Sequence, residues 1–443
     1  MTASMSDFTL PVRESHQIVA ACDLAPVQPE QRQQLYVRLA ARQGGDRIDQ
    51  VEKRIRAGGP FRRELVTGHA GSGKSTELLR LATELRTPKH ERQFHVVYLD
   101  ANVLLGMWNL RLPQILLAMM SALSAEPRVD LRDSPTARSF AAKVAAIISG
   151  VAGSVGKELA KKVDQFAGVS IVGAAIKASQ ELANEFRDRA SAQMQDLLAA
   201  AAAVVEEVSN ELQMEVVFII DNLEKVPEQV IEGGRDLHDV LFAQELPLLD
   251  LQAHIVLTYP ISLNYKSYDL GHRFSASRKT TLPMVSVREA PDETGRARGD
   301  DEQGIDLLVA ALGRRIDLDL FFDEPETVRY LVRASGGCVR DVLRFAGALP
   351  IVSQPPFTAT AVEAALADFR NDYERLIGGK AYVAALPTLA ASGQFPPDFS
   401  MEAKREILLG LVALEYDTQT WFDVHPLVKR TRAYLHAERT WRG

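Results

Sequence analysis

Residues 68–76 read GHAGSGKST. The run before them, RELVT at 63–67, is short and ends on a β-branched residue, while the run after them, KSTELLRLATELR at 74–86, places apolar residues at helical spacing. A strand, a glycine-rich turn and a helix are expected in that order. The turn meets the spacing G-x-x-x-x-G-K-[ST] from Gly68 to Ser75, between the two elements that the spacing requires. Glycines let consecutive backbone N–H groups curl around an anion, and the positive end of the helix dipole faces the same point.

Such a cradle suits the phosphate tail of a nucleotide. Lys74 is expected to reach the β and γ phosphates, and the Ser75 hydroxyl to ligate Mg2+. The candidate binding residues are Gly68, Gly71, Ser72, Gly73, Lys74, Ser75 and Thr76, and the implied cofactors are ATP and Mg2+.

Further apolar runs complete a sheet pattern. FHVVYLDAN follows Pro88, EVVFIID occupies 215–221 and AHIVLTY occupies 253–259, with a weaker run, KTTLPMVSV, at 279–287. They are β-branched and separated by helical patterns, as expected of parallel strands covered on both faces. Residues 60–288 therefore read as a doubly wound α/β domain of the P-loop NTPase kind, with a helical insertion at 130–212. Residues 1–59 read as an N-terminal arm and helical linker, the first 30 an arm rather than a core element. Residues 289–352 read as an all-α unit after a charged, Gly/Pro-bearing linker. Residues 353–443 read as winged-helix-like, with helices before a hairpin centred on Asp417-Thr418-Gln419-Thr420.

The bulk numbers agree with a multidomain globular chain. It has 443 residues, 46% hydrophobic and 25% charged, with a formal charge of -7. That charge argues against a surface coated for nucleic acid, and Cys22 and Cys338 have no metal-ligand or redox spacing, so both are expected to be reduced. The N-terminus lacks a basic start followed by an apolar core, which makes the cytoplasm the expected location. No apolar run approaches the roughly 18 residues of an ordinary transmembrane helix. Residues 141–178, rich in small and apolar residues with Gly150, Gly153 and Gly156 three apart, read as a helical hairpin packed on the domain or on a second subunit, with a membrane-surface role as the alternative.

The stretch VFIIDNLEKV, 217–226, stops at Asp221, where a magnesium nucleotide needs a carboxylate at the tip of a buried strand. Asp221 is the expected metal-holding acid. Asn222 cannot take a proton as a base, so any activation of water falls to another carboxylate. Glu224 is the nearest one, able either to face the γ phosphate or to pair with Lys225 at the surface.

Together VTGHAGSGKSTELLRL, FIIDNLEKV, HIVLTYPISL and SGGCVRDVLRFAGAL resemble the AAA+ and STAND groups of P-loop ATPases, including NACHT members and archaeal replication-initiator relatives. The resemblance spans residues 35 to 440 and is strongest at the phosphate loop. It implies that Thr258 is a sensor of the γ phosphate, that Arg340 is a second sensor on an all-α lid, and that Arg273 or Arg278 is a finger for a neighbouring subunit's site. It also implies that Tyr36 and Arg38 lie near the nucleotide base. The departure at Asn222 points to slow hydrolysis that times a switch.

The C-terminal stretch HPLVKRTRAYLHAERTWRG carries Lys429, Arg430, Arg432, Arg439 and Arg442. Those charges either track a phosphate backbone or are solvated around Leu427, Val428, Tyr434 and Leu435 packed on the hairpin. The expected function is an ATP-binding, slowly hydrolysing molecular switch with ATP-driven lid closure and homo-oligomerisation. The alternatives are a DNA-binding protein acting through residues 353–443, which could instead meet an effector protein, and a membrane-associated scaffold using 141–178.

Overall fold

A computed structural model describes residues 9–39, 46–89, 92–151, 154–163, 168–231, 233–292, 299–416 and 421–442. The chain forms two compact units, one of residues 48–67 and 78–280, the other of residues up to 47, 68–77 and 281–443.

The first unit is built on a five-stranded sheet of β1 (Arg63–Thr67), β2 (Phe94–Asp100), β3 (Glu215–Asp221), β6 (His254–Thr258) and β7 (Ser277–Thr281). Their order across the sheet is β2-β3-β6-β1-β7, with β2, β3, β6 and β1 running parallel. A short ribbon, β4 (Val230–Ile231) with β5 (Arg235–Asp236), lies outside it. All residues of β1 and β6 are buried, so their centres, Leu65-Val66 and Ile255-Val256-Leu257, are unbroken apolar runs, while the buried charges of Arg63 and Glu64 at the start of β1 are paired with Asp250 and Arg54. Parallel pairing puts the exits of β1, β3 and β6 on one edge of the sheet, so Thr67, Asp221 and Thr258 end neighbouring strands.

The fifth strand starts and ends earlier than its sequence run. It covers Ser277–Thr281, and residues from Leu282 leave the sheet. Pro283 accounts for this, because it has no N–H to give to a ladder.

The insertion belongs to the core of this unit. Helices Pro135–Ser149, Gly168–Ala178 and Met194–Leu212 contribute Phe140, Val144, Ile148, Val172 and Val204 to the same apolar cluster as Phe218 and Leu257 of the sheet. A β-carbon on Gly156 would lie 2.5 Å from the Ile148 carbonyl oxygen, so a side chain there would force two helices apart. Gly153 lies outside the described residues. Among the described residues no helix is long and apolar enough to cross a membrane.

The second unit holds the helices Glu302–Gly313, Pro325–Ala334 and Val339–Val352, followed by Ala359–Ile377. Ile305, Leu331, Phe345 and Val362 meet in its core. After them come helices Leu386–Ser392 and Met401–Leu409, the antiparallel hairpin β8 (Ala413–Tyr416) and β9 (Trp421–Val424), and helix Arg432–Arg442. The expected turn at 417–420 lies outside the described residues.

Part of the N-terminal arm is core in this unit. Val12, Ile18, Ala21 and Cys22 are buried with Ile316 and Phe345, and Val12 exchanges backbone hydrogen bonds with Arg315 and Asp317. The Arg315 guanidinium is buried with them and donates to the Ala21 and Asp23 carbonyls. Four apolar residues in a row at 18–21 are too few to show a period, so their burial comes from tertiary partners that the local pattern does not reveal.

Candidate phosphate-binding site

The loop after β1 has the backbone that its glycines allow. Gly71 and Gly73 have φ of 86° and 88°, in the region where an L side chain is strained. The helix Lys74–Arg86 starts where the Glu77 N–H donates to the Gly73 carbonyl at 3.0 Å, leaving its first-turn N–H groups pointing out of its N-terminus. Gly73 has open space where a β-carbon would stand, whereas a β-carbon on Gly71 would lie 2.6 Å from the Cys338 sulfur and 2.7 Å from the Arg340 β-carbon.

Lys74 is buried, and its ammonium donates to the Gly68 and His69 carbonyls at 2.9 and 3.0 Å. The Ser72 hydroxyl is buried without a hydrogen-bond partner among the described residues. An ammonium, a row of outward helix amides, a hydroxyl at Ser75 and an unsatisfied hydroxyl at Ser72 form the donor set of a site for a phosphate chain carrying a divalent cation.

The start of that helix is also fastened to the N-terminal segment. The Val27 N–H donates to the Thr76 hydroxyl at 3.2 Å, and the Tyr36 hydroxyl donates to Glu77 at 2.8 Å. Arg38 pairs with Asp46 at 2.9 Å. Tyr36 is therefore fixed on the first turn of the helix that follows the phosphate loop.

In the sheet unit, the carboxylate of Asp221 is gripped on both oxygens. Oδ1 accepts from the Asn222 N–H and Oδ2 from the Tyr98 hydroxyl, each at 2.7 Å. Asp100 is the in-register partner of Asp221 on β2, and its Oδ1 accepts from the Asn222 side chain at 2.8 Å. Asn222 has φ 66°, a left-handed conformation that Asn adopts more readily than most residues. Burial, the negative charge of Asp221 and its hydrogen bond, and then the charges of Asp100 and Glu224 push the Tyr98 phenol well above its ordinary pKa.

Thr258 is fully buried, and its hydroxyl oxygen accepts from the Leu223 N–H at 2.9 Å, which leaves its proton to donate. The same bond pins the turn Leu223–Lys225 that carries half-buried Glu224. Asp221, Glu224 and Thr258 thus belong to one hydrogen-bonded corner. Among the described residues no group of three or more His, Cys, Asp or Glu side chains is placed to hold a metal ion alone. A magnesium ion needs no such group, because it is usually bound through one or two carboxylates and keeps several waters.

Arg340 opens the helix Val339–Val352, with its β-carbon against Gly71, so the loop and the second-sensor candidate come together. Arg273 and Arg278 are exposed, and Arg273 lies over the Tyr268 ring at 5.5 Å. Tyr268 is itself fixed by donating to Asp239 at 2.6 Å. In the C-terminal stretch, Lys429 pairs with Asp423 at 2.6 Å, Arg430 with Glu363 at 2.8 Å and Arg442 with Glu438 at 2.8 Å. Leu427, Val428 and Tyr434 are buried as expected, whereas Leu435 is exposed.

Three residues at these sites are not singled out by the sequence, His69, Tyr98 and Asp100, and Cys338 is read there only as a reduced thiol. Tyr98 and Asp100 alternate on β2 in the run VVYLD, and a polar pair at the end of an apolar strand is the signal that could have found them. Cys22 and Cys338 are free and buried, and burial raises both thiols, Cys22 to about 12.

The chain is similar to a Walker-type ATPase of Pyrococcus abyssi, with 13% identity, 93% of this chain and 99% of that one covered, and a TM-score of 0.44. Similarity to the Aeropyrum pernix ORC2 protein in ADPNP–ADP complexes is 11% in identity over 95% and 97% of the chains, with a TM-score of 0.43. For the Aeropyrum pernix ORC1 protein in complex with DNA the values are 11%, 97% and 100%, and 0.38. No protein-family model and no curated protein sequence matches the chain. The residues described above carry the functional reading.

Proposed function

We propose that this protein is an ATP-binding, slowly ATP-hydrolysing switch. The reading rests on one observation, the strand–loop–helix at Gly68–Thr76, in which Gly71 and Gly73 take φ values near 90° and the lysine is held at the loop. Gly68, Gly71, Ser72, Gly73, Lys74, Ser75 and Thr76 would hold the phosphates, with Ser75 and Asp221 as the protein ligands of magnesium. When bound, the magnesium nucleotide supplies an electrophilic γ phosphorus and a leaving group whose charge the cation neutralises.

The chain's own residues divide the remaining work. Lys74 neutralises charge on the phosphate chain, and the loop amides fix its position. Asn222 offers no basic oxygen, so Glu224 is the residue that orients and deprotonates water. A single carboxylate base next to an amide is consistent with low turnover, and hence with a nucleotide that sets a state instead of driving a motor. Arg340, at the head of a lid-type helix and against Gly71, would bind the γ phosphate differently in open and closed lids, the condition for a nucleotide to shift the equilibrium. Arg273 would serve a neighbouring copy in an ATP-dependent homo-oligomer.

Titration with MgATP and γ-phosphate release test the proposal together. Lys74→Ala should weaken ATP binding by at least about tenfold, one lost charge-assisted contact being worth about 1.5–3 kcal/mol. Glu224→Gln should keep binding and lose phosphate release. Unchanged affinity in Lys74→Ala would remove the reading.

A further inference from the structure

His69 sits inside the phosphate loop, yet its side chain faces the C-terminal segment. The ring is fully buried. Its Nε2 accepts from the Glu415 N–H at 2.8 Å, and its Nδ1 lies 3.1 Å from the Leu408 carbonyl oxygen. A backbone N–H can only donate and a carbonyl can only accept, so the proton must sit on Nδ1 and the imidazole is neutral. One ring thereby satisfies the last turn of helix Met401–Leu409 and the third residue of β8.

The backbone of the same residue belongs to the loop. The His69 carbonyl accepts from the Lys74 ammonium and from the Ser72 N–H. Glu415 is held from its other side as well, because its carbonyl accepts from the Met284 N–H at 3.1 Å. A β-carbon on Gly68 would lie 2.2 Å from the Leu282 carbonyl oxygen, so backbone packs on backbone beside His69. The sulfur of Cys338 lies 3.7 Å from the Ala70 carbonyl. Residues 68–71 are thus shaped from outside, by segments 282–284, 338–340 and 408–415.

We infer that His69 is a positioning residue through which the docked C-terminal hairpin holds the phosphate loop in its anion-cradling shape, so that hairpin docking and phosphate binding favour each other. The inference rests on the nucleotide-binding reading above. Its physical basis is pre-organisation: a loop with glycines at positive φ has many other conformations, and fixing residue 69 by two hydrogen bonds removes them before the ligand arrives. Linkage then requires the reverse effect, a nucleotide at the loop strengthening the hold on Glu415 by the same factor.

Amide hydrogen exchange on the full-length wild type, over the peptide 412–416, reads this directly. MgADP and MgATP are the probes, with binding followed in parallel by calorimetric titration. Exchange at Glu415 should slow by about tenfold or more on saturation, a coupling in the ordinary range. His69→Gln, which cannot span both partners, should bind MgADP about tenfold more weakly and lose the nucleotide-dependent slowing, an effect that a merely structural histidine would not produce. Binding without any change at Glu415 in the wild type overturns the inference and leaves the nucleotide reading standing. Equal affinity of His69→Gln and wild type overturns it too, whereas no binding of either nucleotide to the wild type removes both readings together.

Discussion

The Tyr98 hydroxyl donates to Asp221 Oδ2 at 2.7 Å while the Asn222 N–H holds Oδ1 at the same distance, so the carboxylate at the end of β3 is fixed in plane and in rotation. Each oxygen keeps lone pairs for a further partner, but the group cannot swing to meet it.

Tyr98→Phe should therefore disturb the metal more than the fold. It removes one hydrogen bond to a charged acceptor, worth about 1.5–3 kcal/mol, and keeps the aromatic ring. The magnesium concentration for half-maximal phosphate release should rise about tenfold, with little change in ATP affinity measured without hydrolysis. A magnesium titration identical to wild type would show that Asp221 does not depend on the phenol.

Asn222→Glu would set two acids in a row at the end of β3, and it should fail to speed the proposed phosphate release. Position 222 has φ 66°, where Glu is more strained than Asn by an amount on the order of 1 kcal/mol. The change also takes the donor away from Asp100 and sets a new carboxylate beside Asp100 and Asp221. The expected outcome is a melting temperature lower by on the order of 5 °C, with phosphate release no faster than wild type. A tenfold faster, equally stable variant would contradict this.

How much of this was legible in the sequence follows from how local each signal is. The loop at 68–76 carries its own geometry in its glycines, and β3 and β6 show their burial in unbroken apolar runs. The strand at 277–281 was placed too far along because Val285 and Val287 look like strand residues, while Pro283 ends the ladder before them. Asn222 read as a lost acid, but its conformation, invisible in a one-dimensional pattern, gives the physical reason for an Asn. His69 and Tyr98 owe their roles to Glu415 and Asp221, over a hundred positions away, and no spacing rule covers such pairs.

Acid should loosen the unit that contains His69 before its carboxylates titrate. Burial, with the positive charge of Lys74 opposing the Leu408 contact, pulls the His69 pKa down to about 3, against about 6.5 in an unfolded chain. Between those values the unfolded state binds the extra proton, so stability is full above about pH 6.5 and falls as pH drops, by up to about 1.4 kcal/mol per pH unit for this one group. Denaturant midpoints of wild type and His69→Gln at pH 6.5 and 5, read by the fluorescence of Trp421 and its neighbours, should show the shallower pH dependence in the variant. Parallel slopes would mean that the imidazole is already protonated or exposed.

Gly71→Ala separates backbone shape from contact with Cys338 and Arg340. The added methyl meets the Cys338 sulfur at 2.6 Å and the Arg340 β-carbon at 2.7 Å, and φ of 86° strains any side chain whatever the space. The single variant should lose nucleotide affinity by roughly a hundredfold, because about 1–3 kcal/mol of backbone strain adds to displacement of the loop from the start of helix Val339–Val352. Adding Cys338→Ala relieves the sulfur contact alone, since the Arg340 β-carbon is common to every residue but glycine and the positive φ remains. The double variant should recover at most about tenfold. Full recovery on removing the sulfur would assign the glycine to that one contact, and an alanine variant within threefold of wild type would show that the loop binds its ligand in a backbone conformation other than this one.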